Sequence, residues 1–171
     1  MPIPKDLKAL TELFGRLGAK EPESWARSQL DEGAPQLQRF LFLKQAWSLI
    51  EAGDDTGWIG QAIQAAEMSP DAPYSDVGAA LKRCIAAGAD PSDLAEISRG
   101  QKASLLFSLC YLLSDSDYNK PPEESVRDIA WALFQIDNDF HPIGVIEALH
   151  ESVLETDPTG REMRPTISEL D

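Results

Sequence analysis

Cysteine and histidine are scarce in this chain, with two of each among 171 residues. Two cysteines make neither a disulfide framework nor a four-thiolate metal site. Two histidines leave little material for a Ser-His or Cys-His catalytic pair. Bases are also short: 15 Lys and Arg face 29 Asp and Glu, giving a net charge of −14 and a pI near 4.4. Neutralising phosphates needs basic residues, so this balance argues against a general nucleic-acid binder and against an anionic membrane surface. The longest apolar run, Ala103 to Leu113, is eleven residues interrupted by Ser104 and Ser108, too short to span a bilayer. The opening stretch to Leu17 is amphipathic and charged, unlike a signal peptide. The expectation is a cytoplasmic protein whose Cys84 and Cys110 are buried free thiols.

Chemistry-bearing motifs are missing as well. There is no G-x-S-x-G elbow and no G-x-G-x-x-G, and Gly15 to Lys20 has the wrong spacing for a phosphate loop. Strand alternation is confined to two weak stretches, Phe134 to Asp137 and Thr166 to Leu170.

What is present is helical periodicity. Apolar stripes and stop signals predict helices over about 5–16, 22–32, 34–51, 55–68, 75–87, 91–113, 123–136 and 143–155. Gly18, Gly33, Gly53 and Gly88 end four of them, and Asp90-Pro91 opens the sixth. A kink is expected at Gly100. Residues 34–51 and 102–113 are apolar on most sides, which predicts two central helices surrounded by the others. The fold class expected is therefore all-α, a single domain of seven to eight helices over 1–156, with an irregular tail from 157 to 171. Ala86 to Asp93, AAGADPSD, is similar to the Gly-Ala-Asp-Pro turn of ankyrin repeats. The likeness covers eight residues, does not recur, and lacks the Thr-Pro-Leu-His signature; helix-stop and helix-start chemistry explains the same residues.

Charge is unevenly placed. Residues 1–85 hold 12 acids and 9 bases, whereas 115–157 hold 11 acids and only Lys120 and Arg127. A field concentrated in this way steers a basic partner. The reading that follows is a non-enzymatic interaction module, of inhibitor or immunity type, with Asp115, Asp117, Glu123, Glu124, Asp128, Trp131, Glu147, Glu151 and Glu155 as its partner-binding surface. Glu147, Glu151 and Glu155 recur every four residues, which on a helix makes an acidic ridge. Trp131 among these acids is the expected anchor.

The alternative is a metal-dependent enzyme or ligand-binding protein, with a divalent cation as cofactor. Glu147 and His150 form one E-x-x-H on a helix, half of what a di-iron bundle requires. Asp115, Asp117 and Asn119 open a D-x-D-x-N sequence like a calcium loop, but Lys120 stands where that loop needs Gly and Val126 where it needs Glu. Against both, His150 shares a face with Ile146 and Val153, which predicts a half-buried histidine paired with Glu147.

Overall fold

The computed structural model describes residues 3–52, 54–118, 123–126 and 128–165. The expected helix stop Gly53, Asn119, Lys120, Arg127 and the Thr166–Leu170 strand candidate lie outside them. The described residues are mostly helical: α1 (Leu7–Leu17), α2 (Pro22–Arg27), α3 (Gln36–Trp47), α4 (Gly57–Met68), α5 (Ser75–Ala86) and α6 (Pro91–Ser114), with strands β1 (Phe134–Ile136) and β2 (Pro142–Val145). Two compact units divide the chain. One comprises Met1–Leu49 with Leu105–Asp171, the other Ile50–Ser104.

The first unit is built on an aromatic trio. Asp6 caps α1 by accepting the Ala9 N–H at 2.9 Å, and Gly18 at φ 90° closes it. Between these ends the stripe of α1 turns Leu10 and Phe14 fully inward. Phe14 meets Trp25 of α2 at 5.9 Å and Phe40 of α3 at 5.7 Å between ring centres, and Trp25 meets Phe40 at 5.2 Å. The last two pairs cross nearly edge to face, the arrangement that ring quadrupoles favour. Ala26 and Leu37 complete this cluster. Further along α3, Trp47 is buried and its indole N–H donates to the Val153 carbonyl at 2.9 Å. That bond ties the C-terminal segment to α3, beside the buried Leu149 and Val153.

The second unit holds α4 and α5 at close approach. A Cβ on Gly78 would fall 2.1 Å from the Ala62 carbonyl oxygen, so only glycine fits there. Asp90 caps α6 by accepting the Ser92 N–H at 2.8 Å, as its sequence predicts. Arg99 is buried and donates to the Glu51 carbonyl at 3.1 Å. Lys102 bonds the Glu51 carboxylate and lies 5.3 Å from the Trp58 ring centre.

Several expectations need correction. α6 is one helix through Gly100, so the chain does not break there. Its second half is not enclosed: Leu105, Phe107 and Leu109 are exposed, while Ala95, Arg99, Ala103 and Cys110 are buried. A helix apolar on nearly every side has no preferred face in its sequence, and the inward face here is the one with Ala95, Arg99, Ala103 and Cys110 rather than the one with the exposed leucines. Cys84 is exposed; Cys110 is buried, and burial pushes its thiol up to about 11.

The all-α expectation fails over the last third. In place of helices over 123–136 and 143–155 there is a 3-10 turn at Glu124–Val126, an antiparallel hairpin, and another 3-10 turn at Leu149–Ser152. Ala148 at φ 54° interrupts any helix through Glu147. β-branched and aromatic residues around the Asp137–Phe140 turn suit strands. β1 coincides with the strand candidate at Phe134 to Asp137.

Candidate functional site

The hairpin is the centre of the acidic segment. Phe134 pairs with Val145, Gln135 with Gly144 and Ile136 with Pro142, with a bulge between Gln135 and Ile136. The Ile146 N–H donates to the Leu133 carbonyl at 2.8 Å and extends the ladder. Side chains alternate across a strand, so Gln135 and Gly144 share one face. That face is turned to α3, where the Gln38 amide donates to the Gln135 side-chain oxygen at 2.6 Å. Phe134, Ile136 and Val145 occupy the other face and are all exposed. Among the described residues the sheet has two strands, and this apolar face stays half-exposed at Phe134, Ile136 and Val145.

Acids precede, cap and follow it. Asp128 and Glu147 are exposed on either side in sequence, and Asp137 and Asp139 are exposed in the turn. Trp131 is 46% exposed, and its indole N–H donates to the Leu112 carbonyl at 2.9 Å. The ring is thereby fixed to the last turns of α6 while much of its surface meets solvent.

The other acids of the expected surface are exposed too, but not as a helical ridge. Asp115 and Asp117 follow α6 directly, and the Asp115 carboxylate accepts the Asp117 N–H at 2.9 Å in a local turn. Glu123 accepts the Ser125 hydroxyl at 3.1 Å, and Glu124 begins a 3-10 turn. Glu147, Glu151 and Glu155 are exposed, but the left-handed Ala148 and the 3-10 turn destroy their four-residue alignment. The Glu155 carboxyl is pushed above the usual carboxylate range, first by desolvation and then by the charges of Glu21 and Glu162; the Trp25 indole and Lys20 act in the opposite sense.

The Glu147–His150 pair is not formed. His150 is half-buried against Tyr111, 4.5 Å between ring centres, and Phe107, 6.1 Å. Its Nδ1 is buried without a hydrogen-bond partner. Nor does the fold gather Glu147, His150, Asp115 and Asp117 into a ligand set. Among the described residues the one group of three with metal-ligand reach is Asp137, Asp139 and His141, whose ligand atoms lie within 4.8 Å of one another. Its signal in the sequence is D-x-D-x-H before a proline. Turn geometry accounts for most of this group. Asp137 Oδ1 accepts the N–H groups of Asp139 and His141, each at 2.9 Å, and its Oδ2 lies 3.3 Å from His141 Nδ1. The His141 N–H is the main cause holding the Asp137 carboxyl below its ordinary value.

No family model, curated protein or solved structure matches this chain.

Proposed function

We propose that this protein is a non-enzymatic interaction module that binds a basic protein surface through its acidic C-terminal segment, with the hairpin at the centre of the contact. The observation that carries this reading is the half-exposed apolar face of Phe134, Ile136 and Val145, in a segment rich in exposed acids. Exposed apolar groups rimmed by polar ones mark interaction sites, and the desolvated centre of an interface supplies most of its affinity. The surrounding negative charge raises the rate of encounter with a basic partner and excludes acidic ones. Trp131 is a half-exposed, pinned aromatic of the kind that anchors such contacts. An inhibitor or immunity-type role suits this chemistry, since blocking a basic enzyme needs only a complementary surface. Two thiols without a disulfide suit a reducing, cytoplasmic setting.

Affinity capture from the source lysate tests the reading. The expected outcome is retention of a basic protein at low salt and its release at about 1 M salt, where the screening length falls to about 3 Å. Charge reversal of Glu147, Glu151 and Glu155 together, or Phe134→Ser with Ile136→Ser, abolishes retention. Capture unchanged in both variants overturns the proposal.

A further inference from the structure

Arg39 is a base that the fold encloses. It is 8% exposed, whereas Lys44, the other base of α3, is exposed and donates to the Leu17 carbonyl. Arg39, Leu43 and Trp47 recur every four residues and are all buried, so this flank of α3 faces inward. Arginine is almost never enclosed in this way unless it is paired. Arg99, also buried, follows that rule by donating to the Glu51 carbonyl at 3.1 Å. Arg39 does not follow it. Among the described residues nothing accepts a hydrogen bond from its side chain and nothing forms an ion pair with it.

The N–H groups of a guanidinium lie in one plane as a rigid fork. At Arg39 the Nε is shut off from solvent and has no partner, so nothing from outside can bond there. The two terminal nitrogens are unbonded as well, but they are not shut off. A ligand arriving from solvent therefore meets the end of the fork alone. A charge with so little contact with water is costly to keep unless an opposite charge neutralises it.

Two properties narrow the chemistry of that opposite charge. The end of the fork presents parallel N–H groups, which match the two oxygens of a carboxylate. One guanidinium balances one negative charge, and the chain around it carries a net −14, which favours a monoanion over a phosphate dianion. The small exposure of Arg39 admits a small group and not a broad surface.

We propose that Arg39 binds a small carboxylate end-on through its two terminal nitrogens. The site is opposite in charge to the acidic surface and stands whether or not that surface binds a basic partner.

NMR titration of the isotope-labelled full chain with sodium acetate, against sodium chloride at equal ionic strength, tests it. The enclosed Arg39 Nε–H exchanges slowly with water, so its signal is observable, and its loss in Arg39→Met identifies it. The expected result is a saturable shift of that signal in acetate and none in chloride. The melting temperature is expected to rise by about 3–6 °C at about ten times the half-saturating acetate concentration. Arg39→Met is expected to abolish this rise. In chloride it is expected to melt at least about 2 °C higher than the wild type, because an unneutralised charge has been removed from a buried position. If Arg39→Met does not fold, the wild-type titration decides the matter. Equal responses to acetate and chloride, an acetate rise retained in Arg39→Met, or an equal response to inorganic phosphate overturns the proposal. A shift of the Arg39 signal on Glu147→Gln or Glu151→Gln, with none in acetate, assigns its charge to an internal pair and also overturns it.

Discussion

Phe14, Trp25 and Phe40 are 0–5% exposed, whereas Trp131, Phe134 and Phe140 are 44–80% exposed. The residue types are alike and the surroundings are opposite. The first trio comes from three helices whose apolar stripes converge, so each ring has the others as partners. The second comes from the stretch around a two-stranded hairpin, an element too thin to bury both of its faces. One face has α3 behind it through Gln38 and Gln135, and the other leaves Phe134, Ile136 and Val145 half-exposed. Aromatics that the fold leaves half or more exposed cost solubility, and their presence among acids is the physical basis of the interaction reading.

The largest test of this contrast is Phe14→Ala. Deleting a fully buried ring is expected to destabilise the first unit by about 3–5 kcal/mol, measured as a lower urea midpoint at unchanged slope. A loss below about 1 kcal/mol would show that the trio is not the core. Thiol labelling extends the comparison to the cysteines. Cys110 is fully buried, with its thiol pushed up to about 11, so only about one in a thousand is ionised at pH 8. Cys84 is exposed. One fast-labelling thiol is expected in the native protein and two in urea, with at least about a hundredfold between their native rates. Equal native rates would contradict the burial of Cys110.

The two indoles with carbonyl partners give a finer comparison. Trp47 donates to Val153 from a buried position, and Trp131 donates to Leu112 from an exposed one, both at 2.9 Å. Trp47→Phe removes the bond and leaves a gap in the core. The Val153 carbonyl keeps the Thr156 hydroxyl at 3.0 Å, so it is not wholly orphaned. The expected cost is about 1–2 kcal/mol, against less than about 0.5 kcal/mol for Trp131→Phe, where water replaces the lost indole donor at the Leu112 carbonyl. Similar costs at the two sites in thermal melts would remove the distinction between them.

The sequence was most legible where local chemistry and apolar period agree. Gly18, Gly33 and Gly88 end helices as read, and Asp90-Pro91 begins one, because each needs only its immediate neighbours. Of the apolar stripe Ile143, Ile146, Leu149, Val153 and Leu154, the middle three are buried and the outer two are exposed, although the backbone that carries them is not a helix. Spacings of three and four residues suit a 3-10 turn followed by an irregular turn nearly as well as an α-helix, so the period found the buried face and mistook the element. The open face of α6 was hidden for the opposite reason: an all-round apolar helix has no period to read. Site geometry was least legible. The acidic ridge and the Glu147–His150 pair depended on helical register, and the single left-handed residue Ala148 removed both. The bond between Gln38 and Gln135 joins residues 97 positions apart, and nothing local announces such a pairing.

The smallest effect on stability is the most informative about function. Phe140 is 80% exposed at the hairpin turn, with a positive φ of 64° that costs a bulky side chain strain. Its ring therefore contributes little to folding, and its backbone conformation opposes it. Phe140→Asn suits the left-handed region better, so the change is expected to leave stability within about 0.5 kcal/mol or raise it slightly. A hairpin selected for stability alone would carry Asn or Gly at this position. If Phe140→Asn is neutral or stabilising in melts yet weakens capture of the basic partner, the ring is kept for contact. If it destabilises the protein by more than about 1 kcal/mol, the ring packs against the fold, and the contrast between the covered and uncovered aromatics does not extend to this turn.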